Sequence, residues 1–164
     1  MHKRIGYMMS NNPLWDYSIA TYSLEGVAPA CLALQDMFGL DVNVLFYAAW
    51  LAQREQRLSH DHLAGVEALI ADWRHDMVKP LRALRQRWRQ VPDAVGIRDE
   101  IKSLELRAER QQQDTMYAYY QGSAGLPWAA RPLRENLALV ASFSGQEDEG
   151  RFAAIERLTL LFRP

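Results

Sequence analysis

Residues 31–52 read CLALQDMFGLDVNVLFYAAWLA, in which two apolar runs enclose the polar residues Gln35, Asp36, Asp41 and Asn43. The second run, Val42 to Ala52, is interrupted only by Asn43 and has 11 residues, well short of the roughly 20 that a membrane-spanning helix needs. A helix that is apolar on every side is one that other helices surround. Gly39 is typical just past a helix end, and Asp41 is a natural N-cap. The stretch therefore predicts a central core helix, Val42 to about Leu58, joined tightly to a preceding helix over 27–38.

Downstream of this helix, apolar residues recur every three or four positions from Leu63 to Val91. That period predicts an amphipathic helix of about eight turns. Pro80 lies inside it, where the missing amide hydrogen predicts either a kink or a break into two helices. Pro92 ends the element, so 61–91 and 94–120 are predicted to form a long, kinked antiparallel hairpin. The predicted apolar side of its second helix comprises Ile97, Ile101, Leu104, Ala108, Thr115 and Tyr119.

The remaining patterns are also helical. No segment alternates with the period of two that strands require, and Asn12-Pro13 is a typical helix start. The predicted fold is therefore all-α: a single-domain bundle of about six helices over residues 13–164, preceded by a flexible lead-in, 1–12.

Composition narrows the class of protein. The 164 residues carry a formal net charge of −1, with 49% hydrophobic and 24% charged residues, as in an ordinary globular domain rather than a disordered or strongly polyanion-binding one. The single cysteine, Cys31, cannot form an internal disulfide, which favours a cytoplasmic location and a buried thiol. No glycine-rich phosphate loop or zinc-binding pattern occurs, and we predict no cofactor.

Three segments carry a resemblance. The string GVAPACLALQDMFGLDVNVLFYAAWLA at 26–52, with WRHDMVKPLRALRQRW at 73–88 and IKSLELRAERQQQ at 101–113, resembles a small proteobacterial family of uncharacterised cytoplasmic helical proteins. The resemblance implies no activity and no catalytic residues. It draws attention, without assigning roles, to Gln35, Asp36, Asp41, Asn43, Trp50, Pro80, Arg82 and Glu105.

The polar residues of the opening stretch have two interpretations. They form either an architectural connection between two core helices or a polar cluster that binds a ligand or partner. Asp36 lies near the end of its helix, where the helix dipole disfavours a carboxylate, so we expect it to pair with an Arg of the hairpin.

A basic segment lies in the first helix of the hairpin. Six basic residues fall between Arg74 and Arg89, against one acid, Asp76. At about 100° per residue, one flank beside the apolar stripe carries Arg74, Arg82, Arg85, Arg89 and His75. This flank is either a surface for an anionic partner or is neutralised by acids on the neighbouring helix, including Glu105 and Glu109. Trp128, in the long loop, is a candidate exposed aromatic anchor.

Two pairs of acidic residues and one pair of histidines have the spacing to be considered as metal ligands. Asp72 with Asp76, and Glu105 with Glu109, are each one helical turn apart and together predict an alternative magnesium site for a diphosphate ligand. His60 and His62 are interpreted as surface residues beside the N-cap Ser59 rather than as metal ligands.

The sequence therefore favours a non-enzymatic cytoplasmic binding or regulatory protein that acts through a helical surface. The predicted contact region combines the Arg82, Arg85 and Arg89 flank with the 35–43 connection. The partner is expected to be a protein, with RNA or a ribonucleoprotein as the open alternative, and a homodimer through the hairpin also stays open. No membrane partner is predicted, and the competing class is a small magnesium-dependent enzyme.

Overall fold

The computed structural model describes residues 11–143, 145 and 148–162. In these ranges the α-helices are α1 (Pro13–Tyr22), α2 (Val27–Phe38), α3 (Val42–Gln53), α4 (His60–Trp73), α5 (Lys79–Arg87), α6 (Val95–Gly122), α7 (Leu133–Phe143) and α8 (Glu149–Leu161). The all-α prediction is confirmed. No described helix is both long enough and apolar enough to cross a membrane. Most of the predicted lead-in, residues 1–10, lies outside the described residues.

Helix α3 is the centre of the bundle, as its sequence predicts. Every residue from Asn43 to Ala52 is buried, and α1, α2, α6 and α7 pack around it. Removing apolar surface from water contributes roughly 25 cal/mol per Å², which explains why so apolar a helix is stable only with neighbours on all sides. Cys31 of α2 lies in the same core, and burial raises the pKa of its thiol to about 12.

Helix α3 ends at its residue 53 rather than at the predicted Leu58. Glu55 has a φ of 54°, in the left-handed region that an α-helix cannot include. Asn136 of α7 holds the turn: its Nδ2 donates to the carbonyls of Ala48 (3.1 Å) and Gln56 (2.9 Å), and its Oδ1 accepts from the Leu58 amide at 2.8 Å. Two of these three backbone groups, the Gln56 carbonyl and the Leu58 amide, lie beyond the last residue of α3, so a buried amide from a distant helix pairs the turn that follows it.

Helices α4, α5 and α6 form the predicted antiparallel hairpin. Pro80 does not break it: α4 continues into α5 through a π-helical turn, Arg74–Val78, in which the Lys79 amide donates to the Arg74 carbonyl five residues back. In a regular α-helix the Pro80 ring would collide with the Asp76 carbonyl, and Pro80 has no amide hydrogen to donate to it. The wider π-turn accommodates both the Pro80 ring and the absence of its hydrogen bond, and such turns are a recognised cause of helix kinks.

The tip of the hairpin is less regular than predicted. α5 ends at Arg87 rather than Val91, and two short 3₁₀ turns lead to α6, because Pro92 cannot donate the hydrogen bond that would continue the helix. The buried stripe of α6 also differs from the prediction, since Ile97 and Leu104 are about half exposed. The buried positions are Ile101, Glu105, Ala108, Gln112, Gln113 and Met116.

Candidate functional site

Two adjoining depressions lie beside the connection between α2 and α3. The first, the α2–α5 cleft, has a volume of about 570 Å³ and lies between that connection, the π-turn and α5. The second, the α1–α6 groove, has a volume of about 330 Å³ and is lined by α1, α2, α3, α5 and α6. Gln35 and Arg82 line both. The structure thus places residues of the 35–43 connection and Arg82 of the basic flank around the same depressions.

Asp41 connects α3 to the hairpin. Its Oδ1 accepts from the Asn43 amide at 2.9 Å, which confirms the predicted N-cap. Its Oδ2 accepts from Arg74 Nη1 at 3.1 Å and from Gln112 Nε2 at 2.7 Å. Arg74 also pairs with Glu67 through Nη2. The Asp41 carboxylate is therefore committed to three donors, and its side chain is only 10% exposed.

Asn43 belongs to a second, buried hydrogen-bond chain. Its Oδ1 accepts from Gln113 Nε2 at 2.8 Å, and Gln113 Oε1 accepts from the Ser18 hydroxyl at 2.9 Å. Ser18 also donates to the Leu14 carbonyl within α1. This chain ties α1, α3 and α6 together at the wall of the α1–α6 groove, which supports the architectural interpretation of Asn43.

Asp36 does not make the ion pair that we predict for it. Its carboxylate is exposed and has no ion-pair partner in the part of the chain that the structure describes. Arg74 of the hairpin pairs with Asp41 of this connection instead. Water solvates the Asp36 carboxylate, and this removes the need for a protein partner. Asp36 and Gln35 nevertheless both line the α2–α5 cleft.

The Arg82 and Arg85 guanidinium groups are paired within the hairpin. Arg82 donates through Nε to Glu105 at 3.1 Å and through Nη2 to Glu109 at 2.7 Å. Arg85 donates through Nε and Nη2 to both oxygens of Glu105, the Nη2 contact being 3.1 Å. The neutralisation that the sequence left open is therefore confirmed for these two residues.

The other two predicted contact residues lie elsewhere. Arg89 is exposed at the hairpin tip, where its carbonyl accepts from Arg98 Nη1 at 3.0 Å, and it lines neither depression. Trp128 is 71% exposed, as predicted, but it lies against the turn after α3, with its Nε1 3.3 Å from a carboxylate oxygen of Glu55. The structure does not bring either residue to the cleft.

The four carboxylates of the alternative magnesium site are not gathered into one place. Glu105 and Glu109 face arginines, while Asp72 is exposed and Asp76 accepts from His75 at 2.7 Å. Burial raises the pKa of Glu109, with Arg82 opposing that shift. Among the described residues, no three His, Cys, Asp or Glu side chains are placed to hold a metal ion.

Sequence reasoning missed Gln112 and Gln113. Both are 1% exposed, and they hold Asp41 and Asn43 through their side-chain amides. The sequence did not indicate them, because the buried side of a helix is predicted from its apolar residues and both of these are polar. The signal that could have found Gln112 is spacing, since it continues the three-and-four-residue series of buried positions from Ile101.

His62 is a core residue, and its interpretation as a surface residue is wrong. It is 7% exposed, and its Nε2 lies 2.7 Å from the Tyr47 hydroxyl oxygen. Burial raises the pKa of Tyr47 and lowers that of His62, so both side chains favour their neutral forms in this hydrogen bond. Ser59 is the predicted N-cap, accepting from the His62 amide at 3.2 Å. The side chain of His62 points inward because α4 turns it toward α3.

Comparison with known proteins identifies a family. The family model described as "Protein of unknown function (DUF2390)" matches residues 13–116, which span α1 to most of α6 and include both depressions' principal walls. No curated protein and no solved structure matches the chain significantly.

Proposed function

Since the chain belongs to the DUF2390 family of proteins of unknown function, we propose its function from the site: it is a non-enzymatic binding or regulatory protein that receives a partner protein in the α2–α5 cleft. The observation that carries this proposal is the meeting of Gln35 and Asp36 from α2 with Lys79 and Arg82 from α5 around one volume of about 570 Å³. Concave sites with a few convergent polar groups are where proteins bind other molecules.

The charges of the cleft favour a protein over a nucleic acid. Nucleic-acid surfaces need cations that are free to meet phosphates, but Arg74 and Arg82 are each paired with two carboxylates. The exposed charges that remain on the cleft are one acid, Asp36, and one base, Lys79. We therefore infer a partner surface that presents a cation to Asp36 and an anion to Lys79.

The hydrogen bonds that Asp41 already accepts favour binding over catalysis. A general base needs a lone pair that it can offer to a substrate proton. The oxygens of Asp41 already accept from three donors that hold α3 and the hairpin in place. A cytoplasmic location belongs to the same proposal, since Cys31 is a buried free thiol of the kind that reducing compartments maintain.

Affinity purification from a native lysate, with and without nuclease, tests this proposal. The bait proteins are the tagged wild type, the cleft variant Asp36→Lys/Lys79→Glu and the control variant Asp99→Lys/Arg107→Glu. The control makes the same charge swap at two exposed positions of α6 that line neither depression. All four positions are exposed, so all three proteins are expected to have the same melting temperature within error.

The expected result is a protein that the wild type and the control retain after nuclease and that the cleft variant loses. Loss of every partner on nuclease treatment would instead favour RNA or a ribonucleoprotein. Equal retention by the cleft variant and the control would overturn the assignment of the cleft. Recovery of the bait alone from all three preparations would count against a stable protein partner.

A further inference from the structure

The α1–α6 groove carries a separate inference, because exposed apolar side chains converge on it. Single exposed apolar residues are normal on a protein surface, whereas a contiguous group marks a contact site. Four large apolar side chains from three helices line this one groove while keeping 40–49% of their surface exposed: Ile19, Tyr22, Leu32 and Leu106. Cys31 and Phe46, both buried, lie beneath them.

One end of the same groove is positively charged. Its walls include three cationic side chains, Arg82, Arg85 and Lys102, against two carboxylates, Glu105 and Glu109, a formal excess of one positive charge. The two arginines bind the carboxylates through Nε and Nη2, and neither Nη1 has a hydrogen-bond partner among the described residues. Lys102 is exposed and has no ion-pair partner in those ranges.

We propose that the α1–α6 groove binds a small amphipathic monoanion, a carboxylate with an unbranched apolar chain of medium length. The chain lies against Ile19, Tyr22 and Leu106, and the carboxylate faces Arg85 and Lys102. The volume of about 330 Å³ is at the lower end of the range for small-ligand sites. The single excess positive charge matches a single carboxylate, and Lys102 supplies an exposed ammonium group that no described residue pairs.

This inference goes beyond the proposed partner-binding function and does not depend on it. Asp36 and Lys79 line only the α2–α5 cleft. The Asp36→Lys/Lys79→Glu variant should therefore lose the partner protein and still bind the anion with unchanged affinity. Failure of either proposal leaves the other open to its own test.

The test is isothermal titration of the full chain with decanoate, below the concentration at which it forms micelles. Hexanoate, decanol and decyltrimethylammonium serve as matched probes. We expect one decanoate per chain, at least fivefold weaker binding of hexanoate and decanol, and no binding of the cation. Higher salt should weaken decanoate more than decanol, because only the anion is attracted to the charged end.

Three variants locate the site. Leu106→Asn removes apolar surface from the groove, and Lys102→Gln removes its exposed cation, so each should weaken decanoate about three- to tenfold. Leu104→Asn is the matched control, since Leu104 is as exposed as Leu106 on the same helix but does not line the groove. It should bind decanoate as the wild type does.

Equal weakening by Leu104→Asn and Leu106→Asn would show non-specific adsorption and overturn the site. Equal affinity for decanoate and decanol would overturn the charged end. Absence of heat at millimolar decanoate would overturn the ligand class, and a partner helix would then be the better occupant of the groove.

Discussion

Replacing Glu105 tests whether its ion pairs with Arg82 and Arg85 stabilise the hairpin as well as neutralising the two arginines. Its side chain is 7% exposed and accepts from Arg82 and Arg85. Removing one partner of a buried ion pair typically costs about 3–5 kcal/mol. For Glu105→Gln we expect a loss of about 2–4 kcal/mol in the free energy of unfolding, below the full range because Arg82 keeps Glu109 and the amide oxygen of Gln still accepts one hydrogen bond.

Urea denaturation followed by circular dichroism measures this loss, and the melting temperature should fall by roughly 5–12 °C for a chain of this size. Glu156→Gln is the matched control, because it removes the same charge from the exposed pair with Arg134, whose two side chains are 50% and 68% exposed. Exposed pairs contribute little, so this control should be indistinguishable from the wild type. Equal stability of the two variants would refute the claim that the buried network stabilises the fold.

Three further predictions concern packing and protonation. Asn136→Ala removes three hydrogen bonds at the end of α3 and should cost about 2–4 kcal/mol by urea denaturation, and a loss under about 1 kcal/mol would contradict this role. Gly65→Ala should lower the melting temperature, because its Cβ would lie 2.0 Å from the Tyr119 hydroxyl oxygen, whereas Gly96→Ala, with open space around it, should raise it. A rise in melting temperature for both variants would show that the Tyr119 ring moves aside at no cost. Burial lowers the pKa of His62 below its ordinary 6.5, so the unfolded chain binds the proton more readily and stability should decrease as the pH falls below about 6.5. His62→Gln should flatten that part of the curve of unfolding free energy against pH, and an unchanged curve would contradict the prediction.

Local patterns predicted most of the fold. The caps Asn12, Asp41 and Ser59 are confirmed, because each accepts hydrogen bonds from amides only two or three residues ahead. The apolar run of α3 was sufficient to place it at the centre, since no other position in a bundle buries every side of a helix. The end of α3 was predicted wrongly because Asn136, far along the chain, decides it.

Only part of the predicted contact region lies at one cleft, and its ion pairs differ from the prediction. Gln35, Asp36, Asp41 and Arg82 do line one cleft. Arg74 pairs with Asp41, Asp36 is exposed to solvent, and Glu105 pairs with both Arg82 and Arg85. A helical period gives the face on which a side chain lies, but it does not give the helix that packs there or the axial register between the two.

The sequence by itself determined that the chain is all-helical, which helix is innermost, and where several helices begin, because these follow from period, composition and interactions within one turn. Only the tertiary structure decided that a π-turn accommodates Pro80, that His62 is buried against Tyr47, and that Arg82 and Arg85 are paired with glutamates. The His62–Tyr47 contact and the arginine–glutamate pairs join residues at least 15 positions apart. The π-turn is a local backbone conformation that packing selects. The energy of a buried hydrogen bond or ion pair is set by the partner and by the exclusion of water, and both exist only after the helices have packed.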